Sequence, residues 1–319
     1  MTIESIKAHV LAVPEVAAWP QMADFFERAE KKPRPDWHLP VLACQAVGGD
    51  VTLATPGAAA AACMYISIIL VDDMLDEDPR GEHLRSGHGP TANLALAFQA
   101  AAFRIFEHTT ISTGLRAAIT ASLARLALGT ALGQHWDTQS LAGEENCWKV
   151  LRAKSAPFFG AAIHIGALLG GAEAEVANGL RDFGGLIGEI IQIRDDLLDA
   201  FQTPASPDWV QGHDTLPILY ARTADHPDRT RFMDLLQQID DPQALREAQG
   251  ILINCGAVSY CAYHLAKRHQ YARGLLDSIP LADPAPMWDL LARQTLPLVK
   301  LLQTSGSEIP PELLLNMQK

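Results

Sequence analysis

The chain has 319 residues, 48% of them hydrophobic, which allows a large core and argues against intrinsic disorder. Its net charge of −12 argues against nucleic acid or an anionic membrane as main partner, and suits cations or anions reached through cations. The five cysteines, Cys44, Cys63, Cys147, Cys255 and Cys261, are scattered and form no CxxC pair, so they indicate neither a zinc site nor a disulfide framework.

The first residues, "MTIESIKAHVLAVPEV", lack a basic segment followed by a long apolar one, so no signal peptide is expected. Residues 54–77, "ATPGAAAAACMYISIILVDDMLDE", are apolar on nearly every side until the acids begin, the pattern of a buried central helix. "PTANLALAFQAAAFRIFEH" follows with Pro90 at its start, then "STGLRAAITASLARLALGTALGQHWD" with apolar residues three and four apart. "NCWKVLRAKSAPFFGAAIHIGALLGG" predicts a helix stopped by Gly170 and Gly171. "AEAEVANGLRDFGGLIGEIIQIRDDLLDAF" predicts another, with an internal Gly-Gly that lets a neighbour approach closely. "QTPASPDWVQGHDT" reads as a loop, and "ADPAP" and "SGSEIPPE" as later breaks. Strand alternation and hairpin turns are missing. Every long apolar run is interrupted within about 20 residues, so no transmembrane segment is expected. The sum is an all-α fold, a single-domain many-helix bundle over residues 1–319, in a cytoplasmic protein.

Two stretches carry chemistry. In "SIILVDDMLDED" five of the seven residues 72–78 are acidic, and "EIIQIRDDLLDAF" repeats the arrangement about 120 residues later. Residues four apart share a helix face, so Asp72 and Asp76 form one carboxylate pair and Asp195 and Asp199 another, with Asp73 and Asp196 about 100° away. Such crowded acids stay ionised only with cations among them. Magnesium takes oxygen ligands and binds through one or two carboxylates plus substrate phosphates. Two such helices facing each other would enclose a pocket with acids on both walls.

"DDMLD" and "QIRDDLLD" resemble the first and second aspartate-rich motifs of the trans-isoprenyl diphosphate synthases (the polyprenyl synthetase family). "LPVLACQAVGGD", "KSAPFFGAAIHIGALLGG" and "DTLPILYA" resemble the flanking helices, and the likeness spans roughly residues 34 to 300. The resemblance implies an isoprenoid-synthase bundle around a central cavity, a homodimer, and three magnesium ions. Asp72 and Asp76 would hold two of them and Asp195, with Asp199, the third. Asp73 and Asp196 join the catalytic acids, Lys154 contacts the allylic diphosphate, and Ser155 and Gln192 line the place where positive charge develops. The implied reaction condenses an allylic diphosphate with isopentenyl diphosphate.

The chain departs from the family where isopentenyl diphosphate is gripped. "KKPRPDWHLP" offers Arg34, with Asp36 in place of a basic residue and His38 nearby. "DEDPRGEHLR" gives Arg80 as one clear match, with Arg85 as a substitute, and His213 stands where a lysine belongs. Three readings therefore stay open: elongation, ionisation with another acceptor (terpene cyclisation or a different nucleophile), and a non-catalytic synthase subunit. Met64 and Ile68 lie on the Asp72 side of their helix, with the small Ser67 beside them. The pocket is thus expected to admit C15 to C20 or longer chains, unless Phe158 or Phe159 closes its floor. Tyr65, on a different face, is the weaker candidate for that floor.

Overall fold

The computed structural model describes residues 2–31, 34–139 and 141–294; Lys32, Pro33 and the predicted break at 305–312 lie outside these. The described residues are helical with no strand among them. They fall into two compact units. One comprises Met1–Ala131, Ala156–Gly185 and Leu275–Asp289, the other Leu132–Ser155, Leu186–Gly274 and Leu290–Lys319.

The centre of the first unit is the helix Thr55–Leu75. Its residues 55–64 are all buried, as expected of an alanine-rich segment with no polar face. Pro56 sits in its first turn, where a missing N–H costs nothing. The small side chains let it pack along His88–Arg104 and against Ile3–Leu11. Its end is closed by the Asp76 N–H on the Asp72 carbonyl (2.9 Å) and the Asp78 N–H on the Asp73 carbonyl (3.0 Å), with Glu77 between them at φ +50°. That is a Schellman stop whose left-handed position, normally glycine, is held by a glutamate.

The paired glycines of Ala174–Ala200 differ in use. A Cβ on Gly184 would lie 2.6 Å from the Phe159 carbonyl oxygen, whereas one on Gly185 would meet only ordinary contact at 3.9 Å. Gly184 alone therefore permits the close approach expected of the pair. His164 is buried in this unit against the Ser122 hydroxyl (3.1 Å), and burial pushes its pKa down to about 4. In the second unit burial likewise pushes His269 down to about 4. A histidine with a lowered folded-state pKa keeps its full contribution above the unfolded value and loses it as pH falls towards the folded one. Stability should therefore fall between pH 6.5 and 4, by up to about 3 kcal/mol for each such group. Thermal unfolding followed across that range should show the loss, and His164→Gln should flatten it.

The second unit is built on Trp209, Phe232, Leu235, Leu245 and Leu252. The predicted loop 202–215 contains a short helix, Pro207–Gln211, opened by Pro207 and anchored by the buried Trp209. The Trp209 indole donates to the Ala200 carbonyl (3.0 Å) and so ties down the end of the helix that carries the second acid cluster. The break at "ADPAP" is present, with helix resuming at 285–294.

Among the described residues, two helices are long and apolar enough to cross a membrane by length and composition alone: residues 51–75 and 113–137. The most apolar window of the first is 78% buried inside the protein, which is how a core helix passes the same test; that of the second is 28% buried.

Candidate functional site

In the first unit, Asp72 and Asp73 occupy the last turn of Thr55–Leu75, and Asp76 caps it. In the second, Asp195, Asp196 and Asp199 close the helix Ala174–Ala200. Both clusters sit at C-terminal ends, where the helix dipole is already negative, and neither final turn holds a basic residue. The carboxyls show the strain. Burial, aided by Asp78 and Asp72, pushes Asp73 up to about 6. Burial and Asp208 push Asp196 up to about 8, against the pull of Gln192 and Lys154. Clustered carboxylate oxygens suit a hard divalent cation such as magnesium, which Asp72 and Asp76 could hold in one unit and Asp195 and Asp199 in the other.

The second unit assembles most of the polar residues expected at the site. The Ser155 hydroxyl donates to Gln192 Oε1 (2.5 Å), and Gln192 Nε2 donates to Asp196 (2.7 Å). This chain fixes the amide so that its oxygen faces the serine and its nitrogen the acid. Lys154 Nζ donates to Asp137 at 2.6 Å. Pro157, inside the helix Glu144–Leu169, cannot donate to the Ala153 carbonyl, so the ladder is interrupted beside this pair. Asp195 is held by Arg194 (2.8 Å), which also donates to Gln294 (2.7 Å), and Asp199 accepts from Gln202. Asp137 and Arg194 were not singled out from the sequence. Arg194 stands inside "QIRDD" and was in plain view; Asp137, 17 positions from its lysine, carried no local signal.

The apolar candidates lie in the first unit. Met64 and Ser67 are buried and Ile68 is half-buried. Phe158 and Phe159 meet edge to face, with centroids 5.3 Å apart. The Tyr65 ring lies 5.5 Å from Phe158, so the tyrosine set aside on helical phase joins the aromatic group after all.

Two of the basic candidates, Arg34 and Arg80, are engaged by the protein itself. Arg34 donates to the Ala29 carbonyl (2.9 Å) and stacks 5.5 Å from the Tyr65 ring. Arg80 is turned back onto Asp78 (2.7 Å). Arg85 lines a cleft with Arg28, Glu82 and Asn93. His38 is half-buried, and burial lowers its pKa, which favours the neutral ring. In the second unit His213 sits 3.6 Å from Asp208.

An all-α fold with two aspartate clusters at helix C-termini is the arrangement implied by the resemblance to prenyl-transferring enzymes. The polyprenyl synthetase family model matches residues 22–252, and the chain belongs to that family. It is similar to the short chain isoprenyl diphosphate synthase of Methanothermobacter thermautotrophicus, 31% identical over 257 residues covering 75% of this chain and 77% of the relative. Among solved structures, a decaprenyl diphosphate synthase from Rhodobacter capsulatus matches with a TM-score of 0.80 at 19% identity, covering 93% of this chain and 95% of that one. A polyprenyl synthase from Caulobacter crescentus, complexed with calcium and isoprenyl diphosphate, matches with a TM-score of 0.75 at 22% identity over 90% of each chain. The chain is a prenyltransferase of the isoprenyl diphosphate synthase type.

Proposed function

We propose that residues 1–319 act as one functional domain that condenses an allylic diphosphate with isopentenyl diphosphate, using three magnesium ions, to a trans-prenyl diphosphate of C15 to C20 or longer. The observation that carries this is the placing of both aspartate clusters at the C-terminal ends of helices in a chain of this family. When bound, magnesium supplies positive charge that stabilises the departing diphosphate.

Lys154 adds its ammonium charge on the same anion. As the allylic C–O bond breaks, the Ser155 hydroxyl and the Gln192 carbonyl oxygen offer fixed dipoles to the developing cation. Tyr65, Phe158 and Phe159 present apolar surface to the prenyl tail and keep water from it. The alkene of isopentenyl diphosphate attacks the allylic carbon, a C–C bond forms, and the released diphosphate takes the proton lost in restoring the double bond. Arg34, His38 and Arg80 are the remaining candidates for the second diphosphate.

That last group favours a second reading. Arg34 and Arg80 are spent on partners within the protein, and His213 replaces a lysine. An enzyme so depleted would ionise an allylic diphosphate and turn it over to another acceptor, its own double bond included. Incubation with farnesyl diphosphate and magnesium, with and without isopentenyl diphosphate, separates the readings. Longer diphosphates formed only with isopentenyl diphosphate support elongation. Hydrocarbons or alcohols formed without it support the second reading, and no turnover in either arm leaves a non-catalytic synthase subunit.

Chain length rests on Ser67, five residues before Asp72 and buried. Ser67→Phe should shorten the longest product by at least one isoprene unit, read by chromatography of the dephosphorylated alcohols. An unchanged distribution removes Ser67 from the cavity wall.

A cytoplasmic homodimer completes the proposal. The five cysteines are free thiols, four of them buried, and a cytoplasmic setting would keep them reduced. The helices His88–Arg104 and Thr113–Asp137 leave Leu96 (66% exposed) and Leu128 (74%) uncovered, apolar surface that a second copy would bury.

A further inference from the structure

Just beyond the first aspartate cluster, three side chains converge that the reaction above does not use. Glu77, His83 and His88 each bring a ligand atom to within 4.8 Å of the others. His83 Nε2 lies 3.6 Å from one Glu77 carboxylate oxygen, and His88 Nε2 lies 3.3 Å from the other. The two imidazole rings are tilted at 42°, with centroids 4.9 Å apart.

His83 is the telling member. Its side chain is fully buried, yet neither ring nitrogen has a hydrogen-bond partner. Leaving a buried polar group unsatisfied costs about 1–3 kcal/mol. Gly81 makes room for the ring, since a Cβ there would lie 2.4 Å from Nδ1. Nε2 is the nitrogen on the Glu77 side. The glutamate is held in its left-handed conformation at the helix stop, and its carboxylate is flanked by both rings.

We propose that Glu77, His83 and His88 form a binding site for a divalent transition-metal ion of the zinc type, separate from the magnesium-binding aspartates. Two imidazoles and a carboxylate are a donor set that suits zinc, while magnesium prefers oxygen throughout. Zinc–ligand bonds of about 2.0–2.1 Å in tetrahedral array put neighbouring donor atoms about 3.4 Å apart. The observed 3.3 and 3.6 Å run to the two different oxygens of the Glu77 carboxylate, so a small rotation of the exposed Glu77 and His88 side chains would bring one oxygen and both rings onto a common ion. Glu77 and His88 are 65% and 58% exposed, which leaves water access to the fourth position. A bound ion would satisfy Nε2 of His83 and fasten the turn that carries Arg80 to the start of the His88–Arg104 helix. No sequence pattern announces the site, because 77, 83 and 88 share neither helical spacing nor a cysteine.

The test uses untagged full-length protein, stripped of metal and then saturated with magnesium. Cobalt(II) is titrated in and followed by the visible absorption of low-symmetry, tetrahedral-type cobalt, and zinc is then used to displace it. The expected result is one equivalent bound, with the thermal unfolding midpoint raised. His88→Ala and Glu77→Gln, both at exposed positions that should not compromise folding, should each weaken binding by about a hundredfold or more, since even residues that only support a ligand cost 10–100-fold. Asp72→Ala should bind cobalt as the wild type does. Absence of a one-to-one signal, full binding in His88→Ala, or loss of the signal in Asp72→Ala would each overturn the proposal.

Discussion

Asp72→Ala and Asp195→Ala should each lower turnover by about a hundredfold or more at saturating magnesium, the scale on which losing one preorganised charge-stabilising group slows a reaction. The same substitutions should leave the fold intact. The reason is local. Asp72 stands in the final turn of its helix, where the dipole opposes a negative charge, and it helps push the Asp73 carboxyl up to about 6. Removing it takes away one carboxylate of the pair that would hold the cation. Steady-state rates, together with thermal unfolding with and without magnesium, read both effects. Near-normal turnover in either variant would detach that cluster from the chemistry. A large drop in the metal-free midpoint would show that the aspartate holds the fold instead.

How much of this was legible in the sequence depends on the range over which each residue acts. The helix Thr55–Leu75 could be read because its burial follows from composition: an alanine-rich run with no polar face has nowhere to go but the core. The stop at Gly170–Gly171 could be read because the end of a helix needs a residue free to turn left-handed, and Gly171 does so at φ +85°. The acid pairs could be read because spacing of i and i+4 is a property of one helix. Spatial neighbours far apart in sequence could not. Phase along one helix put Tyr65 apart, yet its ring meets Phe158 of another helix. Trp209 gave no loop-breaking signal, but its burial draws residues 207–211 into a helical turn. Gly184 and Gly185 are identical in sequence, and only contact with Phe159 distinguishes them.

Lys154→Ala should lower kcat/KM for the allylic substrate by about 10- to 150-fold, the worth of one charged hydrogen bond of about 1.5–3 kcal/mol. The lysine is placed by a close crossing within the second unit. A Cβ on Gly133 would lie 2.5 Å from the Ala153 carbonyl carbon and 2.7 Å from the Lys154 nitrogen, so only glycine lets the two helices meet there. One turn after Gly133 comes Asp137, which holds the ammonium at 2.6 Å with both side chains about one-fifth exposed. Asp137 thus orients Lys154 and competes with the substrate for it. Asp137→Asn should weaken the pairing yet keep the charge on the lysine, so its kinetic cost should be much smaller than that of Lys154→Ala. Gly133→Ala should force the helices apart and reproduce part of the Lys154→Ala defect, with a lower unfolding midpoint besides. Lys154→Arg should restore part of the activity, because the charge returns with a different reach. A purely structural ion pair would behave otherwise. Lys154→Ala and Asp137→Asn would then lower the midpoint equally and leave kcat/KM unchanged, and Lys154 would have no place at the diphosphate.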